Sequence, residues 1–299
     1  MSDGKYSRRG MLRRSAATVG AGTLLGIAGC SSLNPFGGGG AYANWLPVPD
    51  DIDAGDHYQF TYLDTENLEG NEDELPDDFD LSFFESTWSP ADIDWEDTST
   101  ILSFDSVIVA DAEFTREDVV SDLEDEDFDE DTDHQGYTLY LGPNELQAFA
   151  LNDSNLLVAF GVIQSDPIDL LEAAIDANNG EAERYGEDND DLSTLVGELG
   201  GGSVVTGRTT EEPDNDDPEA GRFDHMVARG NESAIDGDTA DRRWVVVYDS
   251  ADDVDTDDLE DWVDANDGSD EMFDDVDDIS YNQNGRLGIV SGTSDTDDL

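Results

Sequence analysis

The chain is 299 residues long and carries 76 acidic residues against 13 basic ones, a formal net charge of −63. Phosphate backbones would meet a strongly anionic surface, which excludes nucleic acid as a partner. A single cysteine excludes an internal disulfide, and the absence of lysine after Lys5 excludes Schiff-base and P-loop lysine chemistry from the body.

The first thirty residues read as an address. Ser7-Arg8-Arg9-Gly10-Met11-Leu12-Arg13 holds a paired arginine, a weakly apolar run follows from Ser15 to Gly29, and Ile27-Ala28-Gly29 precede Cys30. A positive start, a short apolar middle and small residues before a processing point form the layout of an export signal. The segment resembles a twin-arginine signal joined to a lipobox. Arg8, Arg9, Ile27, Ala28 and Gly29 are then the signal residues, and Cys30 is lipidated and anchors the chain to the extracytoplasmic face of the cell membrane. A spanning helix needs about 20 apolar residues; roughly 15 are present, diluted by Gly20, Gly22 and Gly26. The expected organisation is a signal peptide over 1–29 and, over 30–44, the lipidated cysteine with a glycine-rich tether.

Residues 30–299 hold 75 acids, eight arginines and no lysine, a net charge of −67. Such charge strains a compact state by self-repulsion. At molar salt the Debye length falls to about 3 Å and the repulsion largely vanishes. Aspartate excess, lysine depletion and low aromatic content therefore point to a salt-in halophile, whose acidic surface binds cations non-specifically.

The alternating aromatics of Tyr58–Leu63 predict a strand, and polar residues 64–80 predict a loop. Leu81, Phe83, Phe84 and Trp88 are apolar enough to dock, with no assignable element. Ile101–Phe104 and Val107–Phe114 predict a hairpin turning at Asp105-Ser106. Thr115, with Asp118 three residues on, caps a helix. The acidic run Glu124–Asp133 predicts a solvated loop. Tyr137–Leu141, Leu146–Leu151 and Leu156–Val162 predict a three-strand meander. Asp166-Pro167 opens a helix that Gly180 closes. Gly200-Gly201-Gly202-Ser203 reads as the turn from a helix ending near Leu199 to the next strand, and Thr209–Gly221 as loop.

A shift of 88 residues lays Leu156–Gly180 on Trp244–Gly268 without a gap. Between Asp169–Gly180 and Asp257–Gly268, seven of twelve residues are identical. This predicts a duplication: a first α+β repeat with an N-terminal extension over 45–190, and a second, shorter one over 191–299. The fold class expected is α+β, antiparallel strands with helices packed on one face, twice over.

Reactive residues are sparse. His57, His134 and His225 lie far apart in sequence and outside any H-E-x-x-H pattern. Asp125-Glu126-Asp127-Phe128-Asp129 starts like a calcium loop, but Glu130 sits where the turn wants glycine. Asp176–Gly180 and Asp264–Gly268 read as helix ends with the glycine in a left-handed cap. No catalytic residue, cofactor or metal ligand set is assigned, and the chain reads as not an enzyme. An aromatic groove, if the repeats form one, would draw on Tyr137, Tyr140, Phe149, Trp244 and Tyr248.

Arg8, Arg9 and Ile27–Cys30, with Gly136-Tyr137-Thr138-Leu139-Tyr140 and Ala148-Phe149-Ala150-Leu151, resemble haloarchaeal lipoproteins with a twin-arginine signal and an acidic α+β body. That resemblance implies an address and a fold, and no activity. The expected function is a membrane-anchored, extracytoplasmic, non-enzymatic binding or interaction module with an unknown protein or small-molecule partner. The alternatives are a divalent-metal-dependent hydrolase and the solute-binding lipoprotein of a transporter.

Overall fold

The computed structural model describes residues 40–299, apart from 77–78, 80, 162–164, 212, 214–215 and 269–271. The signal residues Arg8, Arg9, Ile27, Ala28 and Gly29, the lipidation residue Cys30 and most of the tether lie outside the described residues.

The first half begins with strand β1 (Gln59–Leu63), helices α1 (Thr65–Gly70) and α2 (Ser82–Trp88), and the hairpin β2 (Thr98–Phe104) and β3 (Val107–Ala112). Helix α3 (Arg116–Asp125) then leads to the meander β4 (Asp129–His134), β5 (Tyr137–Leu141), β6 (Gln147–Leu151) and β7 (Asn155–Phe160). Helices α4 (Pro167–Asn179), α5 (Tyr185–Asp188) and α6 (Asp190–Leu199) connect the halves. The second half is β8 (Val204–Thr209), β9 (Met226–Asp236), β10 (Thr239–Tyr248), α7 (Thr256–Ala265), β11 (Asp277–Asn284) and β12 (Leu287–Asp295).

All twelve strands form one antiparallel sheet in the order β11-β12-β10-β9-β8-β1-β2-β3-β7-β6-β5-β4. The halves meet where β1 pairs with β8, Phe60 opposite Gly207 and Tyr62 opposite Val205. The stretches 45–190 and 191–299 thus share a sheet, and the boundary between them falls inside α6.

Strand alternation sends successive residues to opposite faces, and both faces are apolar. Leu102, Val109, Ala150, Leu157, Val205 and Val247 point to one face, where α4, α5 and α6 cover them with Leu171, Ile175, Tyr185, Leu195 and Leu199. Ile101, Ile108, Phe149 and Val158 point to the other, under Leu68 of α1, Trp88 of α2 and Leu123 of α3. On that second face Trp244, Val246 and Val290 lie under Leu259, Trp262 and Val263 of α7. The α+β class and antiparallel sheet are as expected, but helices flank the sheet on both sides where packing on one face was expected.

The two halves follow a similar path through the sheet. Each half is a three-strand meander, a helix, and a return to the sheet from its edge: β1-β2-β3, α3, β4–β7, and β8-β9-β10, α7, β11-β12. Helices α3 and α7 lie on the same face. The 88-residue shift lays α7 on α4, which packs against the opposite face. An apolar stripe specifies that a helix lies on a sheet, and says nothing about which side.

Several local expectations hold. Asp166 caps α4, accepting from the Ile168 amide at 3.0 Å, and Gly180 closes it at φ +73°. Asp105, at φ +43°, turns the β2–β3 hairpin. Others change. Residues 65–70 form α1, capped by the Asp64 carboxylate on the Asn67 amide at 2.9 Å. Within the acidic run expected as loop lies β4, a solvated edge strand. Its carboxylates discourage pairing with a second sheet, as do those starting β11 at the opposite edge. Gly268 does not take the left-handed cap; α7 ends at Asn266, whose side-chain amide donates to the Trp262 carbonyl at 2.7 Å. The tether stops short of its expected end at 44, because Tyr42 is buried and stacks on Tyr62 at 4.8 Å.

Candidate binding site

The centre of the sheet is closed on one side and open on the other. On the closed side α6 lies against β8 and β9, and Gly207 and Gly230, opposite each other in the ladder, let it approach. A Cβ on Gly207 would sit 2.5 Å from Phe60 Cζ, and one on Gly230 would sit 2.7 Å from Leu199 Cδ1. Burying each leucine of α6 stabilises the seat by about 2 kcal/mol.

Neighbouring residues project to the open side. One rung of the ladder runs Gln59–Arg208–Arg229–Val246, and the next runs Thr206–Asn231–Trp244. These two rungs floor a trough of about 220 Å³, with Phe223, Trp262 and Met272 on its walls. Trp262 packs edge-on against Phe223 at 5.6 Å and Phe273 at 4.9 Å. Trp244 is held between Phe273, at 4.7 Å, and the guanidinium of Arg242, at 5.0 Å. A cation over an indole face is an attractive contact, so that wall is fixed before any ligand arrives.

The electrostatics of the trough invert those of the chain. Of the thirteen residues lining it none is acidic, in a protein where 76 of 299 are. Arg208 and Arg229 stand in register on adjacent strands. Of the other six arginines of the body, four meet carboxylates, Arg184 with Glu187, Arg222 with Asp217, Arg243 with Glu198 and Arg286 with Asp191, while Arg116 donates to Thr138 Oγ1 and Arg242 lies over Trp244. Arg208 and Arg229 have no such partner among the described residues. The Nε of Arg208 is shut off from water without a hydrogen bond, and Arg229 donates to the Gly221 carbonyl at 3.2 Å. Burial, then the charge of Arg208 beside it, lower the pKa of Arg229. The hydroxyl of Thr206 donates to Asn231 Oδ1, so the carboxamide NH₂ of Asn231 is left to face a ligand. The site offers donors and cations.

The other candidates fall elsewhere. Trp244 alone of the five proposed groove aromatics lines the trough. Tyr137 is core on the closed face, Tyr140 and Phe149 are core under α2 and α3, and Tyr248 packs on Phe223. The three histidines are not brought together. His57 Nδ1 lies 3.0 Å from Thr209 Oγ1. His134, on β4, pairs with Asp176 at 2.6 Å and Glu172 at 3.4 Å of α4, and His225 lies 3.5 Å from Asp224. Of residues 125–130, Asp125 ends α3, Asp129 and Glu130 open β4, and 126–128 link the two, with Phe128 buried against Phe149 at 5.1 Å. Among the described residues, Asp295, Asp297 and Asp298 bring carboxylates close enough to share a cation, and all three are exposed.

Sequence reasoning missed Arg208, Arg229, Phe223 and Trp262. The usable signal was arginine scarcity: with eight in residues 30–299, each one poses the question of its partner. The period-2 pairs Thr206/Arg208 and Arg229/Asn231 mark a polar strip on one face of two strands.

No family model and no curated protein matches the chain. Among solved structures it is similar to TP0453 in crystal form I, at 9% identity and a TM-score of 0.47, over 86% of this chain and 94% of that one. Crystal form III of TP0453 gives 10% identity and a TM-score of 0.46, over 84% and 94%.

Proposed function

We propose that the protein is a tethered, extracytoplasmic binding module of a halophile, held to the membrane by lipid on Cys30, that captures a small anionic ligand in the central trough. One observation carries the binding role: Arg208 and Arg229 stand side by side without a carboxylate, in a chain with net charge −63. Partly burying a guanidinium without an acceptor forfeits its hydration. A bound anion restores the missing acceptors. Among the described residues that line the trough none is a cysteine, serine, histidine, lysine or carboxylate, which favours a binding role over catalysis.

The tether is supported by Ile27-Ala28-Gly29 immediately before Cys30. Cys30→Ser is expected to move the exported protein from the membrane fraction to the soluble one; retention as firm as that of the native chain refutes lipid anchoring. For the trough, a panel of inorganic and organic anions is titrated in molar KCl while the melting temperature is followed. A ligand that binds the folded state raises it. At least one anion is expected to do so, and to lose the effect in Arg208→Gln. If none does, the binding role fails.

A further inference from the structure

We infer that the trough takes a small organic carboxylate with an aromatic or branched apolar body, its carboxylate bridging Arg208 and Arg229 and its body lying against Trp244 and Trp262. This rests on the anion-binding reading above and narrows it.

Charge sets the first limit. The floor presents two guanidiniums, and the walls hold no acid among the described residues. Around it lies a body carrying 75 acids, so ligand charge beyond what the two arginines neutralise in contact meets no further cation among the described lining residues. A monoanion meets that condition at least cost.

Size sets the second. Sites for drug-sized ligands span about 300–1,000 Å³. At about 220 Å³ the trough holds a smaller molecule.

The walls set the third. Phe223, Trp244 and Trp262 line the trough almost wholly buried, 1%, 5% and 7% exposed, so the apolar surface left open beside the cations is small and is mainly that of Met272, 50% exposed. A bare inorganic ion leaves that surface in water, whereas an apolar body removes it, at about 25 cal/mol per Å². In brine the competitor is chloride, present in vast excess. Attraction at a distance is screened there, so selectivity has to come from contact. A planar carboxylate matches guanidinium forks in a way that a spherical halide cannot, and chloride has nothing to place against the indoles. With Trp244 already held between Arg242 and Phe273, little ordering is left to oppose binding.

The test is calorimetric titration of the full-length protein in molar KCl with three probes: phenylacetate, benzyl alcohol and inorganic phosphate. Phenylacetate is expected to bind one per chain, at least about tenfold more tightly than either other probe. Arg208→Gln combined with Arg229→Gln is expected to weaken it by about tenfold or more, in a variant that still melts cooperatively. The comparison of probes on the native protein decides the matter even if the double variant does not fold. Benzyl alcohol binding as tightly as phenylacetate overturns the proposal, because charge then contributes nothing. Phosphate binding in preference to phenylacetate overturns the carboxylate and leaves the anion-binding function standing. Failure of all three probes overturns the carboxylate, and the wider anion panel then judges the function separately.

Discussion

Glu232 sits on β9 opposite Arg243, 1% exposed, with both carboxyl oxygens shut off from water. Burial pushes its pKa from 4.5 up to about 8; the Arg243 guanidinium and the Gly202 amide pull the other way without cancelling it. The unfolded chain ionises this group near its ordinary value, and the folded chain keeps it neutral to about pH 8. Its contribution to stability is therefore fully present below about pH 4.5 and is lost as the pH rises through about 8. At about 1.4 kcal/mol per pKa unit, the full loss is on the order of 5 kcal/mol, of which about 3 kcal/mol falls above pH 6. Glu232→Gln keeps the shape and removes the charge. Melts near pH 6 and near pH 9 in molar KCl are expected to show a pH-dependent fall in the native protein that the variant lacks, leaving the variant the more stable at the higher pH. Equal slopes would mean that the carboxyl ionises freely. Nothing in the local sequence marks this residue, since a strand glutamate in so acidic a chain reads as one more solvated charge.

Helices α4 and α7 show how far an element can be read before the fold is known. The caps of α4 follow from Asp166, Pro167 and Gly180, whereas α7 is capped by Asp255 and ends at Asn266 instead of at the expected Gly268. Their faces do not follow from local residues, because the side of a sheet that a helix takes depends on where the chain next re-enters it. After β7 the chain must reach β8, four places away in the sheet; after β10 it re-enters at the edge strand β11, two places away, and β12 then fills the gap beside β10. Those paths are set by long-range pairing, which no window of sequence contains. The trough follows the same rule: its polar strip lies in β8 and β9, but its openness depends on α7 stopping short of those strands. The seat of α6 is testable directly. Gly230→Ala places a methyl 2.5 Å from the Thr206 carbonyl oxygen and 2.7 Å from Leu199 Cδ1. Such overpacking costs about 1–3 kcal/mol, so the variant is expected to melt at a lower temperature. An unchanged melt would show that α6 does not press on the sheet there.

At the scale of the molecule, one sheet joins two topologically related halves that neither stand apart nor enclose a cleft. The pairing of β1 with β8 continues the ladder across the join, and α6 overlies the strands on the second side of it. Opening either half exposes an edge and an apolar face of the other. The body is therefore expected to melt in a single transition, with calorimetric and van't Hoff enthalpies in agreement; two resolved transitions would show that the halves fold independently. Salt sets where that transition lies. A net charge of −67 on residues 30–299 acts across the whole body, because the carboxylates line both edge strands and the exposed faces of the helices. Each acid repels many neighbours at distances beyond contact, and those are the interactions that mobile ions screen. Contact pairs such as Arg243–Glu198, on an arginine only 8% exposed, are screened far less and survive in brine. Lowering KCl from molar to millimolar restores the repulsion and leaves the contacts, so the melting temperature is expected to fall steeply with dilution. A melt that stays cooperative at the same temperature in nearly salt-free buffer would show that the acidic surface does not depend on screening.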